Sequence, residues 1–280
     1  MTRNQCAAIA AETIEILERG HYTAPSGTSI SIEAGLAASV AATRLIRPAE
    51  WPPIVARARR LPAAGIGRTV VTSETTLEAA HRLVVKEGPH EVLALNFASA
   101  RNPGGGFLNG SRAQEESIAR SSGLYPTLLK CQAYYDANRA YHGTLYTDHA
   151  IFSPGVPLLR DDAGTLLEVP YGLAILTMPA PNRGAMPVDS PEIAEVPTTF
   201  RRRIEQILAF AAEFHYDTLI LGASGCGAFR NDPAEVAGIF AEVLADGWAP
   251  CFERICFAVF DPSRDGHIRA AFESRLNGLR

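Results

Sequence analysis

Apolar residues recur at helical spacing from the first positions of the chain. Ile9, Thr13, Ile16 and Leu17 fall near one face of residues Thr2–Gly20, while Glu12, Glu15, Glu18 and Arg19 fall on the other. Gly20 supplies a stop. His21–Ser31, rich in Ser, Thr and Gly, reads as a hairpin or a loop. A further helix is expected over Pro48–Leu61, its start restricted by Pro52 and Pro53, with a solvated basic face at Arg57–Arg60. Residues 1–66 are therefore expected to form a helical accessory region, and residues 67–280 the main domain.

Beyond residue 66 the period alternates. Short β-branched or apolar runs predict strands at Thr69–Thr72, Val92–Phe97, Ala150–Val156, Leu173–Met178, Asp217–Ala223 and Phe252–Phe260. Helical spacing is expected between them, over Ser73–Glu87, Arg112–Ser122, Pro126–Ala140 and Thr199–Phe214. Another helix should follow an Asp232 cap with Pro233 at its first position, and Ser263–Leu276 should close the chain. Strands alternating with helices imply an α/β sandwich around a largely parallel or mixed sheet. In such sheets ligands bind beyond the carboxyl ends of the strands, which singles out the loops at Ala98–Ser111 and Gly222–Asp232. The turn-rich segment Pro179–Pro191 is a further place where a site could lie.

Composition changes this picture little. The chain has 280 residues, 47% hydrophobic and 20% charged, with a net charge of -4, so a folded protein with its own core is expected and disorder is not. No apolar run approaches the roughly 20 residues of a membrane span, and no secretory leader pattern opens the chain, so a cytoplasmic location is expected. Five scattered cysteines without a CxxC pair argue for reduced thiols, with Cys251 and Cys256 placed on one strand. The seven histidines show no metal spacing, and neither a metal nor a cofactor is expected. The slight acidity argues against a duplex-binding surface, though backbone N–H groups can still build a local anion pocket.

Two segments carry candidate chemistry. In Asn96–Ser117 a strand leads through Gly104, Gly105 and Gly106 into a helix, where Ser111 and Gln114 have capping-box spacing and Ser111 is the expected N-cap. Glycines let backbone N–H groups approach a sugar or a diphosphate. Glu115 and Glu116 stand in the first helical turn, where acids also simply complement the helix dipole. Neighbouring residues point about 100° apart on a helix, so one could give a proton while the other orients a sugar hydroxyl. In Leu221–Asp232 the glycines Gly222, Gly225 and Gly227 suit a backbone nest, but neither a P-loop nor a dinucleotide fingerprint is present. Phe229 there either packs inward or offers its face to a ribose or base. Ser224 lacks a nucleophile-elbow pattern, and Cys226 reads as a small buried residue rather than a reactive thiol.

The run NPGGGFLNGSRAQEES (102–117), with seven residues between the glycine triplet and Gln114-Glu115-Glu116, resembles the signature of poly(ADP-ribose) glycohydrolases. The helical N-terminal part and the late GASGCGAFRND loop are similar to the bacterial-type branch, built on a macrodomain. The resemblance implies a macrodomain-like three-layer α/β/α sandwich with a mixed sheet. It also implies hydrolysis of ribose–ribose bonds, mainly from the free chain end. On this resemblance Glu116 is the catalytic acid and Glu115 holds ribose hydroxyls. Asn102, Gly104, Gly105 and Gly106 meet the distal ribose and part of the diphosphate, and Gln114 is a further substrate-binding residue. Gly222, Ala223, Ser224, Gly225, Cys226, Gly227, Ala228 and Phe229 wrap the diphosphate, with Phe229 against the terminal ribose. Phe97, Phe260 and Asp261 are candidates for the adenine pocket. Burial and the charge of Glu115 are expected to raise the pKa of Glu116. Implied partners are poly(ADP-ribose), ADP-ribose and ADP-ribosylated proteins, for a monomer that reverses ADP-ribosylation in the DNA damage response, with no duplex nucleic acid or membrane. The alternatives are a non-catalytic ADP-ribose reader and a hydrolase of mono-ADP-ribosyl or O-acetyl-ADP-ribose substrates.

Overall fold

A computed structural model describes residues 1–88 and 90–279. Helix α1 (Arg3–Arg19) starts in a capping box, where the Thr2 hydroxyl accepts the Gln5 N–H and the Gln5 side chain accepts the Thr2 N–H. It ends at Gly20, whose φ of 74° lies in the left-handed region that glycine tolerates. The Ser/Thr/Gly stretch is a hairpin, β1 (His21–Thr23) against β2 (Ser29–Ser31). Helix α2 (Glu33–Ala42) and strand β3 (Arg44–Ile46) follow, in a region where no element was expected. Helix α3 (Trp51–Ala58) then carries prolines in its first turn, where their missing N–H groups cost nothing.

Strand β4 (Arg68–Thr72), helix α4 (Thr76–Ala80) and strand β5 (Val92–Phe97) fall where the pattern placed them. Helix α5 (Gln114–Ser121) begins two residues later than expected. The single helix expected over 126–140 is two, α6 (Leu124–Lys130) and α7 (Gln132–Ala140), broken at Cys131. Strands β6 (Ala150–Arg160) and β7 (Leu166–Met178) both outrun their apolar cores. They are followed by α8 (Val196–Glu213), β8 (Thr218–Leu221), α9 (Pro233–Val243), β9 (Arg254–Ala258) and α10 (His267–Leu276). Cys251 precedes β9 in a short 3-10 turn, so it does not share the strand of Cys256.

The chain packs into two compact units: residues 1–45, 96–140 and 149–178, and residues 46–95, 141–148 and 179–280. In the first, β6 and β7 pair antiparallel with bulges near Ser153 and Leu158, and α2 and α6 pack on β6. Its N-terminal helix lies along α5 and the short turn Phe107–Asn109 that follows the glycine triplet. In the second, β5, β8, β9 and β4 hydrogen-bond in that order, all parallel, with Val92 opposite Thr218 and Thr218 opposite Arg254. All four residues of β8 are buried, as expected of a central parallel strand. Mixed α/β architecture with parallel and antiparallel strands is thus present, as the alternating pattern required. The basic stretch is exposed, as expected, and Arg59 within it binds Glu205 and Asp246 and lies 4.4 Å over the Trp248 ring.

Candidate active site

The first unit holds the carboxylate pair. Strand β5 delivers Asn96 and Phe97, and the chain then turns through Ser99 and Asn102 into the three glycines. Phe107, 1% exposed, anchors that loop among Ala10 and Ala119, with its ring 5.0 Å from that of Tyr125. From outside, Arg3 Nε of α1 donates to the Asn109 carbonyl at 2.8 Å.

Ser111 is not the N-cap. Ala113 occupies that position in extended conformation without a side-chain cap bond. The Ser111 N–H is spent on the Gly106 carbonyl at 3.2 Å, and its own carbonyl accepts from Arg120. The first-turn side chains instead reach back to the loop and strand. Gln114 Oε1 accepts the Phe97 N–H at 2.8 Å, Glu115 Oε2 accepts the Ser99 N–H at 2.7 Å, and Glu116 Oε1 accepts the Gly106 N–H at 3.0 Å. Asn96 Nδ2 adds a bond of 3.2 Å to Glu115 Oε1. Asn96 and Ser99 were not singled out in the sequence. Their only signal was position, at the strand end and the loop entry.

Gly105 must be glycine twice over: its φ is 61°, and a Cβ there would overlap Glu116 Oε1 and press on Glu115 Oε2 at 3.3 Å. The two carboxylates differ as the 100° offset required. Glu115 is 3% exposed, and its burial pushes its pKa up to about 8, opposed by the Ser99 and Asn96 hydrogen bonds and assisted by the charge of Glu116. The elevation expected at Glu116 is found at Glu115, whose burial is the deeper. Glu116 is half-buried, and its Oε2 is enclosed with no hydrogen-bond partner among the described residues. A buried carboxyl oxygen without a partner is costly unless a ligand completes it. Such an oxygen, beside a glycine backbone and a neighbour held neutral up to about pH 8, can exchange a proton with a bound group. Asn102 is exposed; its N–H bonds Ser99 Oγ and its carbonyl accepts from Gly105.

The second unit holds the other glycine loop. It leaves β8 at Gly222, and its turns are closed by Ser224 N–H to Gly222, Cys226 N–H to Ala223 and Arg230 N–H to Gly227. Asn231, 2% exposed, ties it down: its Nδ2 donates to the carbonyls of Pro181 at 2.8 Å and Gly225 at 2.9 Å. The N–H groups of Gly227, Ala228 and Phe229 make no hydrogen bond among the described residues, which leaves donors suited to an anion. Ser224 and Cys226 are buried, and burial pushes the Cys226 thiol up to about 12, so it stays protonated and inert. Phe229 is half-buried, its ring 6.1 Å from that of Tyr146, whose hydroxyl accepts from Asn182. Tyr146, which sequence reasoning passed over, holds a φ of 59° in a segment whose carbonyls bind the buried Arg203. At the end of β9, Phe260 stands 62% exposed, free to stack on a flat ring. The Asp261 carboxylate accepts from Ser263 and from the N–H groups of Ile268 and Arg269 at the start of α10.

Known proteins resemble this chain along most of its length. A family model described as "Microbial-type PARG, catalytic domain" matches residues 10–161. A crystal structure of poly(ADP-ribose) glycohydrolase from Thermomonospora curvata is 47% identical, with a TM-score of 0.93, covering 97% of this chain and 99% of that one. The same bacterium's enzyme bound to the inhibitor ADP-HPD matches at 47% identity, a TM-score of 0.90 and coverage of 97% and 99%. The Deinococcus radiodurans enzyme in complex with ADP-ribose matches at 45% identity and a TM-score of 0.80, covering 86% of this chain and 96% of that one. No curated protein sequence matches.

Proposed function

The chain belongs to the microbial-type PARG family, and from that premise we propose that it is a poly(ADP-ribose) glycohydrolase, cutting ribose–ribose bonds to release ADP-ribose, mainly from the free end. The observation that carries the reading is the enclosed, unpartnered Oε2 of Glu116 beside a glycine backbone that already holds Oε1. Protonated, that oxygen gives its hydrogen to the ribose oxygen that leaves as the glycosidic C–O bond breaks. The electron pair of the bond goes with that oxygen, and the ring left behind develops oxocarbenium character. Water attacks the sugar carbon, its proton passes to the Glu116 carboxylate, and the acid is regenerated. Glu115, fixed by Ser99 and Asn96, orients the ribose hydroxyls.

The remaining assignments follow from the same reading. Gly104–Gly106 and Asn102 receive the distal ribose and part of the diphosphate, and Gln114 lies beside them as a further substrate-binding residue. The free N–H groups of Gly227, Ala228 and Phe229 support diphosphate binding by the Gly222–Phe229 loop. The exposure of Phe260 supports a place at the adenine, with the backbone around Asp261 beside it; Phe97 is a further adenine candidate. ADP-ribosylated proteins would be its partners, with a monomer in the cytoplasm as the working form and the DNA damage response as the setting.

The test is release of ADP-ribose from purified polymer by Glu116→Gln and Glu116→Ala. Loss of a positioned general acid should cut kcat by about 10²–10⁴-fold, with ADP-ribose binding retained in calorimetry. Undiminished release by both variants overturns the assignment. Binding without any polymer loss in the unaltered protein would identify a reader, and faster turnover of singly modified proteins than of chains a mono-ADP-ribosyl hydrolase.

A further inference from the structure

The parallel strands of the second unit have a second end, remote along β8 from the Gly222 loop, and three ligand-type side chains meet there. His90 lies two residues before β5, Asp217 one before β8 and Glu253 one before β9. The register of the sheet sets them side by side. The Glu91 carbonyl accepts the N–H groups of Asp217 and Thr218, and the Asp217 carbonyl accepts those of Glu253 and Arg254. One donor atom from each of His90, Asp217 and Glu253 lies within 4.8 Å of the other two.

The distances say what the group is not. His90 Nδ1 stands 3.7 Å from Asp217 Oδ1 and 3.9 Å from Glu253 Oε2, both beyond hydrogen-bonding reach. One imidazole nitrogen could satisfy only one of them in any case. Neither carboxylate has a Lys or Arg ion pair among the described residues, so two negative charges face each other across a neutral or singly charged ring. The nearby guanidinium of Arg254 is taken by Glu87.

The same distances fit a shared cation. Three donor atoms no more than 4.8 Å apart leave a point within about 2.8 Å of each. That spans the bond lengths of zinc to imidazole nitrogen and carboxylate oxygen, about 2.0–2.2 Å. Thr218 Oγ1 donates to Asp217 Oδ1 at 2.7 Å, the kind of supporting bond that fixes a ligand's direction. A cavity of about 550 Å³ lined by His90 and Glu253 adjoins the trio, leaving room for water as a fourth ligand and a path of entry. One nitrogen and two carboxylates suit a borderline divalent ion of the zinc type better than calcium or magnesium, which favour all-oxygen shells.

We propose that His90, Asp217 and Glu253 form a divalent transition-metal site of zinc type that staples the amino-terminal ends of β5, β8 and β9. The site neutralises the two carboxylates and ties the three loops together. It supplies nothing to the bond cleavage assigned to Glu116.

The experiment uses the full chain stripped with chelator and titrated with Zn²⁺ alone by calorimetry, with Co²⁺ as a spectroscopic substitute. Expected are one zinc per chain, a visible Co²⁺ band from a low-coordinate site, and an unfolding temperature that rises with added zinc. His90→Gln and Asp217→Asn should each weaken zinc binding at least about tenfold and abolish the thermal shift, with ADP-ribose release unchanged. Equal unfolding temperatures of variant and wild type in chelator establish that the variants fold; if one does not, the surface variant Glu253→Gln takes its place. No zinc uptake by the unaltered protein at about 0.1 mM, or uptake undiminished in all three variants, overturns the proposal.

Discussion

In the loop that runs from Ala98 to Ala113, backbone donors are already engaged by side chains: Gly106 and Ser99 give their N–H groups to Glu116 and Glu115. In the loop from Gly222 to Phe229, the donors at Gly227, Ala228 and Phe229 have no acceptor among the described residues, and Asn231 holds the loop through the Gly225 carbonyl instead. Both follow a strand and are glycine-rich, so composition alone reads them as equivalents. The contrast teaches that a glycine loop does one of two jobs. It can bring carboxylates close to a backbone too tight for any Cβ, or it can hold its own amides open for an anion. The first arrangement stores proton chemistry, the second affinity.

The sharpest way to break that contrast is Gly105→Ala. The added methyl collides with Glu116 and forces an unfavourable φ, so kcat on polymer should fall about a hundredfold, while calorimetric ADP-ribose affinity changes far less. Equal losses in both would show that the two loops do not divide the work.

Glu115 gives the next effect, read by pH. Its folded pKa near 8, against about 4.3 when unfolded, means that the folded chain holds the proton more tightly. The resulting stability is complete below about pH 4 and is lost as pH rises through about 8, at no more than about 1.4 kcal/mol per pH unit. Thermal melts of Glu115→Gln should therefore gain on the wild type between pH 5 and pH 8; parallel curves would remove the buried, neutral carboxyl from the account.

On the other loop, Asn231→Ala strips two carbonyls of their donor, costing about 1–3 kcal/mol of stability. ADP-ribose binding should weaken about tenfold by calorimetry, with kcat on saturating polymer less affected. The smallest effect is expected for Arg3→Ala, which removes one exposed bond to the glycine loop: under about 1 kcal/mol in denaturant melts, and a change in kcat of less than about threefold.

Much of this was legible wherever the cause is local. Thr2 and Gly20 bound α1, Val92–Phe97 is a strand end to end, and Asp232 with Pro233 opens α9, because caps and periodicity act within a few residues. The glycine triplet and the acid pair were legible for the same reason. What failed was settled at a distance. Ala-rich α2 has almost no amphipathic signal and owes its place to packing on β6. Ser111 has the spacing of a cap, but closing the glycine turn uses its N–H, and Glu116 reaches the loop instead. Tyr146 meets Phe229 from 83 positions away, and nothing in either neighbourhood announces it. Residues 90, 217 and 253 converge only through the register of three parallel strands, so a search for ligand spacing along the chain passes over them.

The bond between Arg3 and Asn109 spans 106 positions, that between Thr13 and Arg120 spans 107, and that between Arg160 and Thr13 spans 147. Contacts so far apart in sequence close late, because the intervening chain must first surrender its freedom. The acid-bearing turn should thus reach its working shape among the last events of folding, after the local helices have formed. A nascent or partly unfolded chain would carry every residue of the signature and still be idle.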